Sequence, residues 1–242
     1  MSKLHKNPDI FGDAISDFHH KNNPENIIVH SSDFDDDEIP VDYLFRNFQE
    51  MPDLEKTALQ RCRGKILDVG CGAGSHSRYL QQEKKLEVVP IDISEKAIET
   101  CKLRGLKNAR SQDFFQLENE KFDTILLLMN GVGIVGKLEN LSRFFKKLAE
   151  MLAPNGKVLL DSSDLSYLFE AEKDGGVWID VSQGYYGEMT YRTSYKNETS
   201  AAFDWLYLDF ETLKFAAESH GFNCELVQKG THYDYLAELK KM

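Results

Sequence analysis

The sequence predicts an α/β chain. It reads as a seven-stranded, mostly parallel, doubly wound sheet, with an N-terminal helical cap and a β-rich insertion after the fifth strand. Three observations predict it. Between 65 and 162, short apolar runs rich in β-branched residues alternate with segments of helical periodicity, as in strands buried between helices. After 163 single apolar residues alternate with polar ones, the pattern of antiparallel strands, and from 209 a helix and a final pair of strands follow. Residues 1–60 share neither rhythm. The expected organisation is therefore a cap over 1–60 and a main domain over 61–242, with 163–208 as the insertion.

Bulk composition narrows the class. The 242 residues are 41% hydrophobic and 29% charged, which suits a globular chain. The longest apolar run, Ile-Leu-Leu-Leu-Met at 125–129, is strand-sized, so no membrane span and no membrane partner is expected. No apolar signal region opens the chain, which points to the cytoplasm. A net charge of −11 argues against a nucleic-acid partner, which requires a basic surface. Cys62, Cys71, Cys101 and Cys224 form no C-x-x-C pair, so neither a disulfide framework nor a metal site is indicated. Assembly as a homo-oligomer is compatible with the sequence and not specified by it.

Within the cap, Phe11, Ala14, Ile15 and Phe18 recur at helical spacing and predict a helix over 9–20; Ile27–His30 suggests a small strand. Asp33, Asp35 and Asp37 resemble the opening of a calcium loop. That loop needs Gly at its sixth place and Glu at its twelfth, where Glu38 and Leu44 stand, so the stretch reads as a solvated acidic turn. Tyr43, Phe45, Arg46 and Phe48 crowd aromatics around one cation. Two readings stand: a helix packed on the domain edge, or a lid in which Tyr43 or Arg46 reaches the carboxylate of a ligand. A helix over 52–62 follows, with Leu54, Thr57, Ala58 and Arg61 on one face and Gly64 as its stop.

The first strand of the sheet, Ile66-Leu-Asp68-Val69, breaks into Gly70, Gly72 and Gly74, and a helix over 75–83 begins at once. Glycines let backbone approach a ligand, and a helix start offers unpaired N–H groups. The dinucleotide fingerprint G-x-G-x-x-G is not met, because Ser75 holds the place of its third glycine. Asp68 adds negative charge where a phosphate would be unwelcome. Cys71 within the turn reads as a small filler. A second strand over 86–94 carries Asp92, which lies 22 residues beyond Gly70, the distance at which a carboxylate grips a ribose diol. Ser94 is the better cap for the helix over 95–103. A third strand over 108–112 leads into Asp113-Phe114, and a fourth over 122–129 into Asn130 and the glycines 131, 133 and 136. Ligands bind at the carboxyl ends of such strands, which places Met129, Asn130 and Gly131 beside one. The helix over 137–152 presents Leu141, Phe144, Phe145, Leu148 and Leu152 to the sheet. A turn at 153–156 and a fifth strand over 157–162 complete the run.

The D-x-G-x-G-x-G turn, Asp92, the acidic-apolar pair Asp113-Phe114 and the L-x-P-x-G turn before the fifth strand resemble, in register over 64–162, the class I (Rossmann-like) S-adenosylmethionine-dependent methyltransferases of small-molecule type. The resemblance implies the cofactor S-adenosyl-L-methionine, bound by Asp68, Gly70, Cys71, Gly72, Gly74, Asp92, Ile93, Asp113, Phe114, Met129 and Asn130. The turn would wrap the amino-acid part, Ile93 pack on the adenine, and Asp113 with Phe114 take its amino group and ring edge.

Beyond 163, strands over 177–181, 187–195 and 203–208 suggest a substrate-side insertion, over the carboxyl edge of the sheet or beside it. Its aromatics Trp178, Tyr185, Tyr186, Tyr191, Tyr195 and Trp205 are candidates to wall an acceptor pocket. A helix over 209–220 and a hairpin of 222–229 with 231–239 close the chain. The function expected is methyl transfer to a small-molecule acceptor by direct displacement, with the protein aligning the groups and excluding water. No general base stands out: Asn130 is the better candidate for orienting an acceptor, with His76 and His232 behind it. A nicotinamide-dependent oxidoreductase is disfavoured by the glycine spacing and Asp68. A non-catalytic protein binding S-adenosylmethionine or S-adenosylhomocysteine remains as a third reading. The Asn/Asp-Pro-Pro-Tyr motif of amino-group DNA and glutamine methylation is missing after the fourth strand.

Overall fold

A computed structural model describes residues 7–32, 34–169 and 184–242. Among them, seven strands form the main sheet: β3 (Lys65–Val69), β4 (Glu87–Asp92), β5 (Arg110–Ser111), β6 (Phe122–Leu127), β7 (Leu152–Ser163), β11 (Phe222–Lys229) and β12 (Asp234–Lys241). Their order is β11-β12-β7-β6-β3-β4-β5. β3 pairs in parallel with β4 and β6, β6 with β7, and β12 runs antiparallel between β7 and β11. The chain runs outward from β3 to β5 and then crosses to β6. Strand order thus reverses between β3 and β6, where open α/β sheets bind ligands.

Helices cover both faces, as the apolar runs require. On one, α2 (Asp53–Arg61) and α3 (Ser75–Gln82) bury Leu54, Ala58, Leu59 and Leu80 against Leu126, Leu159 and Leu236. On the other, α5 (Leu141–Met151) and α6 (Phe210–Ser219) bury Phe144, Phe145, Leu148 and Leu213 against Leu127, Leu160 and Phe222. The buried face of α2 differs from the one the sequence suggested. Arg61 is exposed, and Glu55 is buried in its stead because it meets two cations there. Leu152 is buried as expected, but it opens β7. The turn at 153–156 is a bulge in that strand: Phe122 faces Leu152 while Thr124 faces Lys157.

The cap and the insertion share a second sheet. Its order is β10-β8-β1-β2, formed by β1 (Ile27–Ser31), β2 (Asp37–Ile39), β8 (Glu188–Tyr195) and β10 (Phe203–Leu206), with β9 (Glu198–Thr199) on β8. β1 lies antiparallel to β8, Ile28 opposite Ser194 and His30 opposite Arg192. Its inner residues Ile27 and Tyr195 pack with Ile10 and Ala14 of α1 (Ile10–His20) and with Val41. The expected strand at 177–181, Trp178 within it, and Asp33 lie outside the described residues. Among the described residues no helix is long and apolar enough to cross a membrane.

Candidate active site

The turn after β3 is built for close approach. Gly70, Gly72 and Gly74 all have left-handed backbones, at φ of 70°, 51° and 79°. Their surroundings differ. A Cβ on Gly70 would meet nothing within 4 Å, and one on Gly72 only Ile15 Cδ1 at 3.9 Å. A Cβ on Gly74 would strike Leu106 and stand 2.8 Å from Cys101 Sγ. Gly74 therefore seats the turn on α4 (Glu95–Leu103), and Gly70 and Gly72 leave an open cradle. Cys71 is buried, its Sγ 3.9 Å from that of Cys101. Asp68 sits below the turn, 2% exposed, accepting from Ser77 Oγ at 2.6 Å. Burial raises its pKa, with the charge of His76 and the bonds from Ser77 opposing.

Asp92 ends β4 beside this cradle. One carboxylate oxygen accepts from Gly72 N and the other from Ser94 N, each at 2.9 Å. The pair pins the carboxylate between turn and helix, and each oxygen keeps a further lone pair. Burial outweighs these bonds and raises its pKa. Ser94 caps α4 through Ala97 N, as the sequence indicated. Ile93 is 79% exposed next to it. Asp113 accepts from Phe115 N at 2.8 Å and from Gln116 Nε2 at 3.1 Å. The Phe114 ring, expected at an adenine edge, is 4% exposed in the main core near Phe144. Only its backbone is left for a ligand.

At the end of β6, Met129 and Asn130 are consecutive non-glycine residues in the left-handed region, at φ of 63° and 55°. Asp161, at the carboxyl end of β7, accepts from Asn130 N at 2.8 Å and Met129 N at 3.1 Å. Burial, helped by the charge of Glu55, pushes its carboxyl up to about 7. Asp161 escaped the sequence reading. The available signal was its likeness to Asp68 and Asp92, each an aspartate closing or nearly closing an apolar strand.

Arg46 is 8% exposed and Glu55 4%. Arg46 Nη2 donates to both Glu55 oxygens, at 2.6 and 2.7 Å, and His76 Nε2 lies 2.7 Å from Glu55 Oε2. Burial would raise the Glu55 pKa, but His76 and Arg46 together lower it; burial would lower that of His76, but Glu55 raises it. His76 is thus held in an ion network and is not free as a base. The Arg46 guanidinium lies 3.4 Å from the centre of the Tyr43 ring, with Nη2 3.9 Å from Met129 Sδ. Its Nε is buried with no partner among the described residues. Tyr43 is 40% exposed, so it is the lid candidate that faces outward. Phe45 packs on Phe18 and under Arg104. Ser75 Oγ holds Leu44 O at 2.8 Å and Phe48 stacks on Tyr79 at 4.0 Å, so this segment is well anchored.

The acceptor candidates separate. Tyr185 donates to Asp209 Oδ2 at 2.7 Å and packs against the main core, anchoring the start of α6. Tyr186 donates to Asp164 Oδ1 at 2.8 Å, and Trp205 lies so close to Gly133 that a Cβ there would overlap its ring. Trp205 therefore walls the segment after β6. His232 is exposed between β11 and β12, its backbone N bonded to Asp234 Oδ1, and no contact joins it to His76 or Asn130. Asn130 Oδ1 accepts from Ser163 Oγ at 3.1 Å.

Residues 66–156 match the model of a methyltransferase domain. The chain is 48% identical to an S-adenosylmethionine-dependent methyltransferase from Bacteroides fragilis, whose crystal structure holds S-adenosyl-L-homocysteine. That likeness covers 99% of this chain and 98% of that one, at a TM-score of 0.90. A second methyltransferase structure, from Clostridium acetobutylicum, is 17% identical over 81% of this chain and 92% of that one; at a TM-score of 0.58 it shares the fold. The chloroplastic tocopherol O-methyltransferase of Arabidopsis thaliana is 29% identical over 107 residues, 40% of this chain and 29% of that protein's length.

Proposed function

Because the chain belongs to the S-adenosylmethionine-dependent methyltransferases, we propose that it methylates a small molecule, in the crevice where β3 and β6 diverge, by direct displacement. The observation that carries this reading is the open cradle at Gly70 and Gly72, with the Asp92 carboxylate beside it and no glycine–lysine phosphate loop. When bound, S-adenosylmethionine supplies a methyl carbon already activated by its sulfonium. The residues present fit that group. Gly70 and Gly72 leave room for its amino-acid part, Asp92 has lone pairs for ribose hydroxyls, and exposed Ile93 offers an apolar face for adenine. The buried, unpartnered Nε of Arg46 is a donor for a carboxylate. Met129 and Asn130 flank the crevice from β6, and Tyr43 with Trp205 stands toward the acceptor side.

These residues align and exclude water rather than take a proton. An acceptor that arrives as a neutral amine needs no base; a hydroxyl does, and Asn130 serves to orient either. The cytoplasm, where unpaired thiols such as the four free cysteines persist, is the compartment that suits this chain. Titration calorimetry tests the reading: S-adenosylhomocysteine should bind in the micromolar range and NAD should give no comparable heat. Tight NAD binding with silence toward the adenosyl ligand would overturn it. A metabolite screen that follows S-adenosylhomocysteine formation then identifies the acceptor.

A further inference from the structure

The left-handed pair Met129-Asn130 raises a question that the cradle does not answer. Side chains make this conformation unfavourable, for Met129 far more than for Asn130, since asparagine adopts it readily. Something must hold Met129 above all. The left-handed turn swings the N–H groups of 129 and 130 to one side, forming an anion-receiving concavity. What fills it is a side chain of the neighbouring strand, Asp161. We propose that Asp161 is a positioning residue for methyl transfer: by receiving these two amides it sets the backbone of Met129 and Asn130 at the mouth of the β3–β6 crevice.

The rest of the neighbourhood fits this role. Asn130 Oδ1 is held by Ser163, two residues beyond Asp161 on the same strand, so backbone and side chain of residue 130 are both fixed from β7. Met129 touches Arg46, tying the turn to the Glu55–His76 network. The charged and titratable groups around Asp161 are Glu55 of α2, then Tyr43 and Arg46 of the cap segment and Asp234 of β12, which cluster at Tyr43. Glu55 repels the carboxylate, and the two amides are its direct support. An un-ionised Asp161 would be a poor acceptor for them, so the turn should loosen as the pH falls through about 7.

The proposal rests on the methyltransferase reading, and its test separates the two. In the intact chain, nitrogen-15 amide spectra followed against pH should show residues 129 and 130 shifting together with one midpoint near neutrality. Asp161→Asn should abolish that shared transition. By calorimetry, Asp161→Asn should weaken S-adenosylhomocysteine binding by about tenfold, the scale set by one left-handed side chain's steric cost. In a Met129→Gly background the same substitution should cost at most about threefold, since glycine takes a positive φ unaided. An equal loss in both backgrounds, a loss within twofold in the first, or amides untouched by Asp161→Asn overturns the proposal. If the wild-type chain binds no S-adenosylhomocysteine, the methyltransferase reading fails instead, and the amide titration alone decides the role of Asp161.

Discussion

Replacing Asp92 with Asn changes one oxygen to an amide and separates binding from stability. In the native chain both oxygens receive backbone N–H groups, from Gly72 and Ser94. Asparagine keeps one acceptor and turns its NH2 toward the other donor, so one of these amides and one proposed ribose contact lose a partner. An unmade buried hydrogen bond costs about 1–3 kcal/mol, and 1.4 kcal/mol is tenfold, so the dissociation constant for S-adenosylhomocysteine should rise about 5- to 150-fold. Stability should hardly follow. The folded pKa of Asp92 is raised, chiefly by burial, so its contribution favours the folded state at low pH and is lost as pH rises through the folded pKa. At neutral pH the carboxylate is therefore a poorly housed charge, and a neutral isostere offsets the lost bond. Tm should stay within about 3 °C, given that 1 kcal/mol moves it about 2–4 °C in a chain of this size. Calorimetry and thermal melts check both halves. An affinity within twofold of wild type in a folded variant would refute the ribose contact.

Other substitutions probe the remaining supports. Gly74→Ala should lower Tm clearly, because its Cβ meets Leu106 and Cys101; Gly70→Ala should cost only about 1–2 kcal/mol from its positive φ yet block S-adenosylhomocysteine, since it fills the cradle. Melts and calorimetry on the two proteins distinguish these outcomes. Arg46→Ala leaves the buried Glu55 with His76 as its remaining cation and should destabilise by about 1–3 kcal/mol in urea, whereas Arg46→Met with Glu55→Gln should recover much of that loss. Glu238 has its pKa lowered to about 2: burial would raise it, but Lys240 and Lys157 outweigh that. A depressed acid stabilises above its unfolded pKa and loses the effect as pH falls, so the urea-midpoint gap between wild type and Glu238→Gln should be full at about pH 6 and shrink toward about pH 3. A gap independent of pH would contradict the ion pairs.

Features written in local pattern were legible in the sequence. The glycine corner could be read because positive φ selects glycine, and Asp92 because its distance from that corner is fixed by one strand–helix–strand unit. What stayed hidden depends on residues far apart in the chain. Glu55 looks like the polar side of an amphipathic helix until Arg46 and His76 close on it. Phe114 reads as ligand-facing by its place after Asp113, yet its ring goes to the core, since a short 3-10 turn begins there. Asp161 is one strand-final aspartate among several, and only the neighbouring strand gives it a task. The pairing of β1 with β8 joins segments more than a hundred residues apart, and no local periodicity encodes a partner at that distance.

That pairing bears on how the protein can be cut. A chain begun at residue 61 would keep every strand of the main sheet, though it would lose α2 from one face. It would also strip β1 from β8, laying bare a row of backbone N–H and C=O groups along a strand that carries Tyr191 and Tyr195. An uncovered edge of that kind recruits another copy of itself. Trimming toward a minimal catalytic unit should therefore yield precipitate, and the first sixty residues are better regarded as the missing neighbour of the insertion than as an appendage to the domain.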